Sequence, residues 1–169
     1  PYETASPGAL LNDYRAVMGQ LRRIAGRAAT DTTTTLHYVC APKQACAALR
    51  EEGVRGLVGM FYPLPGREAL RYYLTPAQAG LLQRRPLWRD EETGLTFACN
   101  DLVLNAVPLG EIAPRLAARP KDFYHVMIHE QYFYPDYEAY QPDFAQKVQA
   151  ALAWFQERGL RSCFLEELL

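Results

Sequence analysis

The run Gly56-Leu57-Val58-Gly59-Met60-Phe61 is apolar at almost every position. It is far too short for a membrane span, which needs roughly 18 apolar residues. A strand with one wet face would alternate apolar and polar residues. A continuous apolar run fits a strand buried on both faces, as in a parallel sheet covered by helices. The flanking sequence supplies those helices. Ser6-Pro7 reads as an N-cap followed by Pro in the first turn. Leu10, Leu11, Tyr14, Val17, Met18, Leu21 and Ile24 then keep helical spacing as far as Gly26. Pro42 opens a second helix through Ala45, Cys46, Ala48 and Leu49, which stops at Gly53.

The pattern continues along the chain. Thr34 to Val39 reads as a strand. Thr75-Pro76 reads as the cap of a short helix to about Arg85, within an otherwise irregular stretch over 62–95. Leu95–Ala98 and Leu102–Leu104 read as strands around Asn100-Asp101. A helix is predicted over Leu109–Arg119, although it contains Pro114. Phe123–His129 is predicted as a strand. Pro142 opens a long helix with Phe144, Val148, Ala151, Leu152 and Phe155 on one face, ended by Gly159. Ser162-Cys163-Phe164 reads as a terminal strand. About six strands alternating with helices predict an α/β fold built from βαβ units, either a parallel sheet or a barrel. The length of 169 residues suits a single domain.

Charge and composition narrow the function classes. The formal net charge is −1, and the Arg residues are interspersed with acids, so no basic stripe marks a nucleic-acid partner. Neither a membrane span nor a signal peptide is evident. The four cysteines form no CxxC pair and read as reduced, mostly buried residues, which suits a cytoplasmic setting. No GxSxG elbow, P-loop or GxGxxG is present, and Gly56, Gly59 and Gly66 do not make a phosphate cradle. Serine hydrolase, P-loop and dinucleotide-binding readings drop out.

Three strand ends carry residues of catalytic type, and strand ends are where loops of a parallel barrel converge. They are His37-Tyr38, Asn100-Asp101 and His129-Glu130-Gln131. His129 ends an apolar strand beside Glu130. Imidazole titrates near neutrality and a carboxylate can orient it, so the pair suits a general acid or base. The competing reading is a structural His that anchors the next loop. His37 is either a metal ligand or acid/base group, or a partly buried strand His. His125 points to the same strand face as His129 but roughly 13 Å away, too far to share a metal. The loop from Tyr132 to Tyr140 places Tyr132, Tyr134, Tyr137 and Tyr140 among carboxylates. Amphipathic rings suit a sugar, and they equally suit rigid loop packing.

At this point the residue order resembles a known family. Val126-Met127-Ile128-His129-Glu130, a long helix, and then Arg158-Gly159-Leu160-Arg161-Ser162-Cys163-Phe164-Leu165-Glu166-Glu167-Leu168 resemble the end of a polysaccharide deacetylase (NodB-homology) domain. Upstream, Leu36-His37-Tyr38 and Ala48-Leu49-Arg50-Glu51-Glu52-Gly53-Val54-Arg55-Gly56-Leu57-Val58 resemble that family's middle. The runs TTTLHY and MIHEQYFYPDY resemble a bacterial branch of the same superfamily. The resemblance implies a partial or distorted (β/α) barrel over residues 1–169, matching the C-terminal two-thirds of the domain, with N-terminal strands missing. It implies metal-dependent hydrolysis of an amide or ester on a carbohydrate, with a divalent metal, zinc as first choice. By position His129 matches the family's catalytic His, whereas His37 falls where the family has its motif Arg, so that role does not transfer. Combined with the residue types themselves, the expected site has His129 and Glu130 as catalytic residues, Tyr38, Tyr132, Tyr134 and Asp101 as substrate contacts and His37 as a candidate metal ligand. The family's Asp-Asp and His-x3-His metal motifs come early in the domain, before the part that this chain resembles. No Asp-Asp pair occurs here, and the His125/His129 spacing lies in the C-terminal strand instead, which implies an incomplete or divergent site. A non-catalytic carbohydrate-binding or scaffold domain is the alternative. If the chain is the C-terminal portion of a longer domain, exposed sheet edges would be covered by a second copy or a partner segment.

Overall fold

The structure, a computed structural model, describes residues 2–62 and 70–169. Gly66 and part of the irregular stretch over 62–95 lie outside the described residues. The chain is an α/β protein in two compact units. Unit 1 comprises Pro1–Cys99 with Phe164–Leu169, and unit 2 comprises Asn100–Cys163.

Unit 1 begins with α1 (Pro7–Ala25). The Ser6 hydroxyl accepts from Ala9 N–H, and the helix stops where Gly26 takes φ 82°. Helix α2 (Lys43–Glu51) buries Ala45, Cys46 and Leu49. Helix α3 (Pro76–Leu82) opens on a reciprocal capping box between Thr75 and Gln78. Such a cap contributes about 1 kcal/mol. The sheet contains β1 (Thr33–Thr34), β2 (Gly56–Gly59), β3 (Leu87–Arg89) and β4 (Thr96–Cys99) in the order β1-β2-β4-β3. β2 runs parallel to both β1 and β4, with Leu57 opposite Phe97, whereas β3 is antiparallel to β4. All four β2 positions are buried, as its unbroken apolar run requires. The sheet is open, and no barrel is evident among the described residues.

The core of unit 1 centres on Phe97, whose ring meets those of Phe61, Tyr72, Tyr73 and Trp88 at centroid distances of 5.6–6.1 Å. The predicted strand over Thr34–Val39 is corrected here. Only Thr33–Thr34 pair, and His37–Val39 form a 3-10 turn. Tyr38 and Val39 take φ 58° and 51°, values that turn the chain away from a strand and are costly for a β-branched residue. Tyr72 holds the turn. Its hydroxyl donates to Val58 O at 2.7 Å and accepts Leu36 N–H at 3.2 Å, and its own N–H donates to Val39 O at 2.8 Å. Val39 then presses on β2 at Gly59, where any Cβ would collide with Val39 Cγ1.

The predicted terminal strand at Ser162–Phe164 does not form. The chain instead ends in a 3-10 turn over Leu165–Leu168. Glu167 Oε1 accepts Phe164 N–H at 2.7 Å, and Arg55 donates to Leu169 O. These side chains supply partners that a sheet would have supplied.

Unit 2 contains β5 (Leu102–Val103), β6 (Val126–Met127), α4 (Ile112–Ala117) and α5 (Phe144–Gln156). β5 and β6 are parallel, with Leu102 opposite Val126 and Val103 opposite Met127. The predicted strand over Phe123–His129 is thus reduced to two residues, because among the described residues it pairs with β5 alone. α4 is shorter than its sequence suggests. Its first turn is 3-10 (Leu109–Glu111), and Pro114 sits in the first turn of the α segment, where a missing N–H costs nothing. The core comprises Leu102, Leu104, Val107, Ile112, Leu116, Phe144, Ala151 and Trp154. The buried face of α5 is rotated from the predicted one. Lys147 and Trp154 are inside, and Leu152 is 52 % exposed. Lys147 tolerates burial because its amine donates to Gln141 Oε1 at 2.8 Å and lies 3.7 Å from Asp143 Oδ2.

Candidate functional site

The β5/β6 register builds the polar centre of unit 2. It pairs residues that are 24 apart in sequence. At one end His125 N–H donates to Asp101 Oδ2 at 3.0 Å, and Asp101 N–H donates to His125 O at 2.7 Å. At the other end His129 Nδ1–H donates to Asn105 Oδ1 at 2.7 Å. Each apolar strand thus delivers a polar residue at both ends, and the parallel register sets each against its counterpart.

The His125 end is closed. Asp101 Oδ1 takes an ion pair from Lys121, and both side chains are only 3 % exposed. His125 Nδ1 donates to Asn100 Oδ1, and Lys121 N–H donates to the Tyr124 hydroxyl at 2.9 Å. Burial pushes the His125 pKa below its ordinary value, with the Asp101 carboxylate pulling the other way. A neutral His between two buried partners anchors the segment that leads into β6. Asp101, predicted to contact substrate, instead accepts from Lys121 and from His125 N–H, and its side chain is spent in doing so.

The His129 end is open. Its ring is partly buried, and Nε2 hydrogen-bonds to no described residue. Because Asn105 Oδ1 can only accept, Nδ1 holds the proton in the neutral ring. The Nε2 lone pair is left to take a proton, or to return one. Asn105 is itself held in place. Its backbone carbonyl accepts from Gln141 Nε2 at 2.9 Å, and Gln141 Oε1 accepts from buried Lys147. Glu130, the predicted orienter, is exposed and makes no hydrogen bond or ion pair among the described residues. Sequence reading missed Asn105. The available signal was that Asn105 ends the apolar run Leu102-Val103-Leu104 just as His129 ends Val126-Met127-Ile128.

The aromatic loop divides by role. Tyr132 packs inward, against His129, Tyr137 and Phe144 at centroid distances of 6.3, 5.4 and 5.7 Å. Tyr134 is 57 % exposed, and Phe133, Tyr140 and Ile128 are also exposed. Of the predicted substrate tyrosines in this loop, Tyr134 presents its ring to solvent and Tyr132 is a packing wedge. His37 and Tyr38 belong to unit 1. Both are exposed, with their rings in edge contact at 4.2 Å.

Among the described residues, no three His, Cys, Asp or Glu side chains converge so as to hold a metal ion. The donor set expected for zinc is not assembled by them. The cysteines are all free thiols. Burial pushes the Cys46 thiol up to about 12 and also raises Cys40, so neither offers a thiolate nucleophile at neutral pH. No described helix is long and apolar enough to cross a membrane. Comparison with protein-family models, curated proteins and solved structures returned no match to this chain.

Proposed function

We propose that unit 2 carries a hydrolytic acid/base site directed at a carbohydrate or a related hydroxylated amide or ester, with His129 as the proton-transfer group. The observation that carries this reading is the Asn105 contact on His129 Nδ1. It leaves Nε2 as the reactive nitrogen, next to a loop that presents Tyr134. In one catalytic cycle Nε2 takes a proton from an attacking water and returns it to the leaving nitrogen or oxygen. The polysaccharide-deacetylase resemblance supports the reading at its strand-end His. A deacetylase-type barrel and a divalent metal belong to that family picture. Among the described residues no ligand set for that metal converges.

The test is acetate release from a chitooligosaccharide and from an aryl acetate, comparing the wild-type chain with His129→Ala. Loss of a general acid/base costs about 100-fold or more in rate, so His129→Ala should fall at least that far while its circular dichroism is unchanged. Equal rates in the two proteins would overturn the reading. The exposure of Tyr134 and Phe133 favours a second reading, a non-catalytic glycan-binding surface. On that reading Tyr134→Ala weakens binding of the oligosaccharide and His129→Ala leaves it unchanged.

A further inference from the structure

Unit 2 holds a cavity of about 380 Å³ lined by Ala117, Pro120, Lys121, Tyr124, Trp154, Arg158 and Leu160. Its volume falls at the small end of the range for ligand sites, and such sites combine apolar walls with a few placed polar groups. Ala117, Pro120 and Leu160 supply apolar wall, and Tyr124 packs edge-on against Trp154 at 5.3 Å. The two cations differ in what they have left to offer. Lys121 is spent on Asp101, and that pair is buried. Arg158 is not spent. Its guanidinium lies 3.9 Å over the Trp154 ring, and Nη1 donates to Trp154 O at 3.1 Å. The other two guanidinium nitrogens donate to no described residue. The nearest carboxylate, Glu157, stands 3.8 Å away with its side chain 74 % exposed, a contact of little energetic worth.

A guanidinium held flat by an aromatic ring keeps its donor edge oriented, and that edge matches a carboxylate in bidentate fashion. We propose that this cavity is a binding site for a small aryl carboxylate, with the ring against the Ala117/Pro120/Leu160 wall and the carboxylate on Arg158. The site is independent of His129 and of the function proposed for it.

The test is a ¹H–¹⁵N NMR titration of the full chain with sodium benzoate, benzyl alcohol and sodium acetate. It follows the Trp154 indole N–H, assigned by its persistence in Trp88→Phe, and the amides over residues 117–124 and 154–160. Benzoate should give saturable shifts confined to these residues. Benzyl alcohol, lacking the charge, and acetate, lacking the ring, should each bind at least tenfold more weakly. Arg158→Gln should weaken benzoate at least tenfold. Glu157→Gln, at an exposed position where folding is not at risk, should leave benzoate binding within about threefold of wild type, because its contact with Arg158 is weak. Absence of saturable shifts with benzoate overturns the proposal. So does equal binding of benzoate and benzyl alcohol, or an Arg158→Gln protein that binds benzoate as tightly as wild type.

Discussion

His129 Nδ1 donates to Asn105 Oδ1 at 2.7 Å across the two-residue parallel pairing of β5 with β6. An amide oxygen fixes the tautomer of an imidazole without adding a charge beside it. The consequence is spectroscopic as well as chemical. In the wild-type chain the neutral His129 ring should show a protonated Nδ1 and an unprotonated Nε2 in its ¹⁵N shifts. Asn105→Ala should convert this to a mixture of tautomers. A pure Nε2–H form in the wild type would sink the assignment.

The relay behind Asn105 predicts a longer-range effect. Lys147 holds Gln141, which holds the Asn105 carbonyl. Lys147→Met keeps the bulk of the side chain but removes the donor. Gln141 Oε1 then loses a partner, at a cost of about 1–3 kcal/mol. Urea unfolding should show that loss, and the His129 ¹⁵N shifts should move toward those of Asn105→Ala. Unchanged ring shifts would mean that Asn105 is held well enough by its own backbone.

Lys121 and Asp101 form a buried ion pair. Removing one partner strands a charge out of water, so Lys121→Met should destabilise the protein by about 3–5 kcal/mol. Replacing both, as Lys121→Met with Asp101→Leu, removes the stranded charge. That double variant should be the more stable of the two, apart from the lost bond to His125 N–H. A shift in the urea midpoint checks the order, and a double variant less stable than Lys121→Met would contradict it.

Gly59 is pinned by Val39. Gly59→Ala would place a Cβ against Val39 Cγ1 and at 3.0 Å from Phe61 Cζ. Both neighbours are fixed, one by its left-handed backbone and one by the aromatic core. Overpacking of this kind costs about 1–3 kcal/mol. Thermal unfolding should show a lowered midpoint, whereas Gly19→Ala on α1, where no atom lies within 4 Å of the new Cβ, should leave it unchanged or raise it.

Two groups set separate acid limits. His125 is buried with its pKa below the ordinary value of about 6.5. Below that value the unfolded chain binds a proton that the folded chain refuses, so stability falls as pH drops from about 6.5. Asp90 behaves as a satisfied carboxylate. Burial pushes its pKa up, but the hydroxyls of Tyr73 and Thr93 and the Glu92 N–H outweigh this and hold it below the usual range. Its contribution is complete above about pH 3.9, the unfolded value, and is lost as pH falls through its lower folded value. Urea midpoints against pH should lose the upper slope in His125→Gln and the lower slope in Asp90→Asn.

Sequence determined what depends on neighbours along the chain. The capped helices at Ser6-Pro7 and Thr75-Pro76, the stop at Gly26 and the wholly buried β2 were legible, because capping and burial on both faces are written in short runs of residue types. His129 at the end of an apolar run was legible for the same reason. Its partner was not. Asn105 is 24 residues away, and only the β5/β6 register brings it to the ring. The same pairing closes Asp101 onto His125 and Lys121. Tertiary structure also decided that Tyr38 and Val39 turn instead of extending, because Tyr72, distant in sequence, supplies the hydrogen bonds that hold a left-handed pair in place. Local propensity cannot anticipate a conformation whose stabilising contacts come from elsewhere in the chain.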